Sequence, residues 1–335
     1  MATGLVAVVA LVSGCTDSGK EVTASSDGMR TVRIAQPFTS TLNSGLLVAD
    51  GLGYFKKKNI TLKFTDVANG AGLQTTLGGS ADVALASSVL PVTALTQSQK
   101  FTVFAAIGNG FPESVIVDAK AYAASGLKDD SPLADKIKFL ANKPFGISSP
   151  TGSTAYVMKY LFKLAGQPAG AFKPVTLGSG PAILAALKSG KVIGGSIGSP
   201  YPQVAESEGY AHIFLNVPGG EVPQLTNILT SVLAVTPDFY KNNKPLLDDF
   251  VAALREGQQY VYAHPSESDD FVYTHYFAKS PKAAVLAGVT NQRNGGAIAK
   301  TPDINKESVD HLVEFMRATG QKVPDSYSEI FVGLT

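Results

Sequence analysis

Twice along the chain the same alternation of strand-like and helix-like segments occurs, and it limits the possible folds more than any other feature of the sequence. In the first copy TVRIAQ (Thr31 to Gln36), LLVADGLGYFKKK, TLKFTDV (Thr61 to Val67), a segment ending at Leu77, and DVALAS (Asp82 to Ser87) read β, α, β, α, β. In the second, KPFGISS reads as a strand. Gly152 to Ala165 reads as a helix, with Val157, Tyr160, Leu161 and Leu164 at i, i+3, i+4 and i+7 and Gly166 as its stop. Then follow PVTLG, a helix opened by Pro181 with Ile183, Leu184 and Leu187 inward, and VIGGSIG. This order predicts α/β structure with parallel strands covered by helices. Only two copies exist, with Leu77-Gly78-Gly79-Ser80 and Leu187-Lys188-Ser189-Gly190 as counterparts, so two similar lobes are expected rather than a solenoid.

After Thr226, NILTSVLAVTPDFY reads as a strand followed by mostly helical sequence. Pro245 opens an amphipathic helix with Leu246, Leu247, Phe250, Val251 and Leu254 inward, and Asn305 to Thr319 forms another with Val309, Leu312, Val313 and Met316 on one face. These are expected to pack back on the first lobe. Chain crossings near Asn109 to Val115 and Pro223 to Ser231 divide the chain into a discontinuous lobe I, residues 30–112 plus 226–335, and a continuous lobe II, residues 113–225. Two adjacent crossing strands form a hinge.

Leu5 to Val12 is a short apolar run that ends at Ser13-Gly14-Cys15, the pattern of a secretory signal over residues 1–14. Val12-Ser13-Gly14-Cys15 resembles the bacterial lipobox, which implies cleavage before Cys15 and a lipid on its thiol. Residues 15–29, from Cys15 through TDSGKEVTASSDGM, have almost no apolar side chain to bury and are expected to form a flexible tether. The apolar run falls well short of the roughly 20 residues that span a bilayer.

With 28 Lys+Arg against 27 Asp+Glu there is no broad field to attract nucleic acid, so a charged ligand must be recognised locally. The single cysteine leaves no internal disulfide, and the four histidines stand at no metal-ligand spacing. No cofactor is expected. Trp is absent, which leaves Tyr and Phe to line any apolar wall.

Four hydroxyl-rich turns follow expected strands: Pro37-Phe38-Thr39-Ser40-Thr41, Ser87-Ser88, Ser148 to Thr154, and Ser196 to Tyr201. Ligands of open α/β sheets bind outside the carboxyl ends of strands. The third turn is the sharpest, because hydroxyls beside Gly152 at a helix start offer free N–H groups and the positive end of the helix dipole to an anion. None of the five arginines lies in these turns, so an anion would be held by hydroxyls and a helix end. Phe38, Phe111, Tyr156 and Tyr201 stand beside the turns as candidate walls.

Gly194-Gly195-Ser196-Ile197-Gly198 satisfies the G-x-S-x-G pattern of a nucleophile elbow, but Pro200 and Pro202 argue against the helix that must follow. The acid pairs Asp129-Asp130, Asp248-Asp249 and Asp269-Asp270 read as solvated faces.

GLLVADGLGYFKKKNITLKFTDVANG, GGSADVALASS and SSPTGSTAYVMKYLFKLAG, together with the lipobox, resemble the substrate-binding proteins of ABC importers. The group is the NMT1/THI5-like one, which takes sulfonates, nitrate, taurine and thiamine precursors. The resemblance implies a type II periplasmic-binding-protein fold, two lobes joined by a two-strand hinge that close on a small-molecule ligand. It implies ligand contacts from Thr39, Ser40, Ser87 and Ser88 on one lobe and Gly152, Ser153 and Thr154 on the other; Phe38 and Tyr201 join the candidate site by their position beside the turns. Ile193-Gly194 and Ser199-Pro200-Tyr201 stand where that group carries an Asp-Ala pair and a Trp-containing turn. Implied partners are an ABC permease and its ATPase, with the membrane reached through the lipid anchor at Cys15. A small organic anion of the sulfonate kind is the first expectation for the ligand, and a pyrimidine thiamine precursor or an aromatic carboxylate the second. Other classes that share the fold are biosynthetic enzymes of thiamine and menaquinone synthesis, or a sensor or adhesin domain.

Overall fold

The computed structural model describes residues 19–37, 40–67, 71–150 and 152–334. Ten strands are present among them: β1 (Arg30–Gln36), β2 (Ile60–Asp66), β3 (Val83–Ser87), β4 (Thr102–Gly110), β5 (Glu113–Asp118), β6 (Pro144–Ile147), β7 (Lys173–Thr176), β8 (Gly194–Gly198), β9 (Ala211–Leu215) and β10 (Thr226–Val235). They make two five-stranded sheets, ordered β2-β1-β3-β10-β4 and β7-β6-β8-β5-β9.

The sheets are built alike. In each, three strands from successive βα units run parallel, and the fourth lies antiparallel to both of its neighbours. The antiparallel strand is the one delivered by a crossing: β5 enters the second sheet directly after β4, and β10 returns to the first after β9. Each lobe is therefore completed by chain arriving from the other. Thr230 Oγ1 donates to the Gly110 carbonyl at 2.7 Å and staples the two crossing segments together.

Strand composition follows from burial on both faces. Val32, Ile34, Val83 and Ala84 are fully buried, as parallel strands between helical layers require. In β8 the alternative is no side chain at all: a Cβ on Gly195 would lie 2.3 Å from Ile183 Cγ2, so glycine lets the Gly180–Lys188 helix settle on the sheet. The Lys244–Ala263 helix covers the far face of the first sheet, where Phe250 meets Phe55 at 4.7 Å and Phe104 at 5.9 Å between ring centroids.

The Lys306–Ala318 helix packs on β10, as expected, but it also reaches the second lobe. Phe315 sits between Phe111 at 4.8 Å and Tyr160 at 5.3 Å, in a core that draws on both lobes. Residues 19–29 depart from the flexible tether that their composition suggests. Asn243 accepts from the Val22 N–H at 2.7 Å and donates to the Lys20 carbonyl at 3.0 Å, while Asn242 donates to the Gly19 carbonyl at 2.8 Å. Side-chain amides satisfy the backbone here, and Val22 packs on the edge of the core beneath the Lys244–Ala263 helix. The signal segment and Cys15 lie outside the described residues. No helix among the described residues is long and apolar enough to cross a membrane.

Candidate ligand-binding site

The parallel strand β6 ends at Ile147, and the chain turns through Ser148 and Gly152 into the Ser153–Leu164 helix. Gly152 is the N-cap, and it brings no side chain to bond the first turn. The N–H groups of Ser153 and Thr154 consequently have no partner among the described residues. Thr154 is buried, and its hydroxyl holds the turn shut, lying 3.0 Å from Ser148 Oγ and accepting from the Ser148 N–H at 3.3 Å. The result is a rigid helix start with two unspent donors.

Beneath it lies a residue that the sequence reading missed. Glu113 is the first residue of β5, paired in register with Gly198 of β8, and only 8% of it is exposed. Ser153 Oγ donates to Glu113 Oε1, and Glu113 Oε2 is buried with no partner. Burial pushes the Glu113 carboxyl above the usual carboxylate range, against the smaller opposing effects of the Ser153 hydrogen bond and its own N–H. In the sequence, the signal for it is an acid between Pro112 and the apolar run SVIV, a place where a solvated residue is not required.

The other expected contacts divide. Ser40 stands just beyond the carboxyl end of β1, where its Oγ accepts from the Leu42 N–H at 3.2 Å and caps the short turn Thr41–Asn43. Ser87 is exposed at the end of β3. Ser88 does not match the expectation of a cleft hydroxyl. It is fully buried, donates through Oγ to the Leu229 carbonyl at 2.5 Å and through its N–H to the Thr230 carbonyl at 3.0 Å, and so ties β3 to β10. Phe38, Thr39 and Thr151 lie outside the described residues. Tyr201, 38% exposed, opens the Tyr201–Ser207 helix and covers Gly180, where a Cβ would come within 2.8 Å of its ring. Phe111 is core rather than wall, packed on Phe315. Tyr156 is half-buried with Lys159 Nζ 5.0 Å from its ring centroid.

The prolines after G-x-S-x-G do not prevent a helix: β8 passes through a cis Ser199–Pro200 peptide into the Tyr201–Ser207 helix, with Pro202 in its first turn. Ser196 is nevertheless unlike an elbow nucleophile, because it sits mid-strand and 1% exposed, with no hydrogen-bond partner for its hydroxyl. Among the described residues no cluster of His, Cys, Asp and Glu is arranged to hold a metal. Two acid pairs are less solvated than their sequence suggests: Asp269 is buried against Arg293, and Asp249 bonds Arg30 at 2.8 Å.

In overall structure the chain is similar to the alkanesulfonate-binding protein SsuA from Xanthomonas axonopodis pv. citri, solved with MOPS bound, at a TM-score of 0.69 and 15% identity over 90% of this chain and 97% of that one. It is also similar to the periplasmic aliphatic sulphonate-binding protein SsuA from Escherichia coli, with TM-score 0.66, 15% identity, and coverage of 88% and 94%. The periplasmic nitrate-binding protein NrtA from Synechocystis gives TM-score 0.61 and 16% identity over 77% of this chain and 69% of that one. These likenesses establish the periplasmic-binding-protein fold, two α/β lobes joined by crossing strands. No curated protein sequence matches the chain. The family model described as NMT1/THI5 like matches residues 40–268, more than half of the sequence, and the chain belongs to that family.

Proposed function

We propose that this chain is the extracytoplasmic solute-binding component of an ABC importer, one that captures a small organic anion of the sulfonate kind by closing its two lobes and delivers it to a permease driven by an ATPase. The observation that carries the reading is the start of the Ser153–Leu164 helix, where the unpartnered N–H groups of Ser153 and Thr154 and the positive end of a three-turn helix face the same turn. Gly152, Ser153 and Thr154 hold the anion from the second lobe with Tyr201 beside them. Ser40 and Ser87 are the contacts assigned to the first lobe; Thr39 joins them on the family resemblance alone, and Phe38 by its position beside the turn in the sequence. A ligand touching both lobes favours the closed form by its differential affinity for that form. The sulfonate- and nitrate-binding neighbours support the anion class. The Val12 to Cys15 run supports export with a lipid anchor at Cys15.

A thermal-shift screen against ethanesulfonate, nitrate, benzoate and a hydroxymethylpyrimidine tests this, since a ligand at 100 times its dissociation constant adds about 2.7 kcal/mol of stability. Stabilisation by the sulfonate or nitrate supports the reading. Stabilisation by benzoate or the pyrimidine alone moves the ligand to that class, and no shift with any of them favours the enzyme or sensor reading.

A further inference from the structure

We infer that Glu113 determines the charge response of this site: its carboxyl carries a proton whenever an anion rests on the Ser153 and Thr154 N–H groups, so that anion capture is coupled to proton uptake by the protein. This rests on the anion reading above and adds to it a residue and a linkage.

Glu113 is more than nine-tenths buried, accepts the Ser153 hydroxyl at Oε1, and leaves Oε2 buried with no partner. Ser153 is also the first residue of the anion-binding helix start. A carboxylate bonded to that side chain and an anion on its N–H are held by the same residue, and like charges that close repel strongly at the effective dielectric of a protein site. No cation relieves this, since no Lys, Arg or His is paired with Glu113 among the described residues.

The ionisable groups on the surrounding elements are directed elsewhere. β8 has none. β9 has His212, opposite Val117 at the far end of β5 and bonded to Asp129, and β5 itself ends in Asp118, which caps Ala121. The Ser153–Leu164 helix carries Lys159, over Tyr156, and Lys163, on the Ala318 carbonyl. On the Gly180–Lys188 and Tyr201–Ser207 helices, Lys188 pairs with Glu208 and Glu206 bonds the Ile213 N–H, while Tyr201 covers Gly180. Lys120 and Tyr122 stand on Ala119–Ser125, with Tyr122 on Asp129, and Glu221 beside Val217–Gly219 holds Lys136.

Protonation resolves both problems together. It removes the repulsion, and with Oε1 accepting from Ser153 it turns Oε2 into a buried O–H donor that lacks an acceptor in the protein. A sulfonate, nitrate or carboxylate oxygen is the kind of acceptor that completes it, whereas a ligand presenting an N–H or an ammonium would call for the ionised form.

The test is isothermal calorimetry of the full chain with ethanesulfonate and with nitrate, from pH 5 to pH 8.5, in two buffers of different ionisation enthalpy. Both probes keep a constant charge over this range, so any pH dependence belongs to the protein. The expected result is a roughly 10- to 100-fold loss of affinity as pH rises, with proton uptake climbing toward one per anion. In Glu113→Gln both effects disappear, and the variant binds more tightly than the wild type at pH 8.5. Should the variant fail to fold, the wild-type proton count decides alone. Anion binding with a flat pH profile and no proton uptake overturns the role of Glu113 and leaves the anion reading standing. Failure of both proteins to bind either probe overturns the anion reading and this inference with it.

Discussion

Asp269 and Arg293 meet through two hydrogen bonds, Nη1 to Oδ1 at 2.5 Å and Nη2 to Oδ2 at 2.9 Å, with less than a tenth of either side chain exposed. The pair joins the Pro265–Val272 helix to the Lys282–Asn294 helix. That second helix lies against the second lobe, because a Cβ on Gly288 would come within 2.7 Å of Ser199 Cβ. Removing one partner of a buried pair leaves the other charge uncompensated, at a cost of about 3 to 5 kcal/mol. Arg293→Ala should therefore lower the unfolding free energy by that amount, read as a lower urea midpoint at unchanged slope. Arg293→Lys should recover only part of it, since an ammonium cannot make the two-pronged contact. A loss below about 1 kcal/mol in the alanine variant would show the pair to be solvent-screened in solution.

Close backbone approach sets a second point of sensitivity. Gly257 on the Lys244–Ala263 helix faces Gly45 and Ala49 on the Ser44–Gly51 helix, and a Cβ on it would lie 2.3 Å from the Gly45 carbonyl oxygen. Intrinsic helix propensity favours alanine over glycine by up to about 1 kcal/mol. The overlap is with backbone and outweighs it, so Gly257→Ala should destabilise by about 1 to 3 kcal/mol in thermal or denaturant unfolding. A stabilised variant would mean that the two helices separate without cost.

Much of the architecture was legible because local pattern and tertiary role agree. The 3.6-residue periodicity of Val157, Tyr160, Leu161 and Leu164, closed by Gly166, marks the Ser153–Leu164 helix to within a residue or two. What escaped depends on partners distant in sequence. Ser88 reads as a turn hydroxyl, yet β10 arrives beside β3 from residues 226–235 and its Leu229 carbonyl accepts the Ser88 hydrogen bond. Glu113 reads as an unremarkable acid until the antiparallel register sets β5 beside β8 and its carboxyl meets Ser153. Asp269 lies in a segment polar enough to pass for a solvated face, and only the packing of a helix 24 residues further on buries it. The strand β9, AHIFL, is too short to announce itself by alternation.

Ser153 offers the most direct probe of the helix start. Its side chain is bonded to Glu113, and its N–H is open. Removing the hydroxyl deletes a donor from the turn and a hydrogen bond from Glu113, while the backbone groups and helix dipole remain. The hydroxyl's one proton goes to Glu113, so its loss reaches the anion only through the positioning of that carboxyl; at about 0.5 to 1.5 kcal/mol for a hydrogen bond, Ser153→Ala should weaken ethanesulfonate binding about two- to tenfold without abolishing it. Calorimetric titration at a fixed pH near 6 measures this. Unchanged affinity would show that the Glu113 carboxyl keeps its place without the hydroxyl.

Glu113 also predicts how stability changes with pH in the absence of any ligand. Burial raises its carboxyl in the folded chain above the ordinary glutamate value of about 4.3 that applies when unfolded. Between those two values the folded state binds more protons than the unfolded state, so stability falls as pH rises through that window. The contribution is complete below the unfolded value and is lost above the folded one, at about 1.4 kcal/mol per unit of separation. Glu113→Gln cannot ionise and should lack this term. Denaturant unfolding of both proteins from pH 4 to pH 8 should therefore show the wild type losing ground steadily to the variant as pH rises. A constant difference across that range would mean that water or a counter-charge reaches the Glu113 carboxyl in the folded protein.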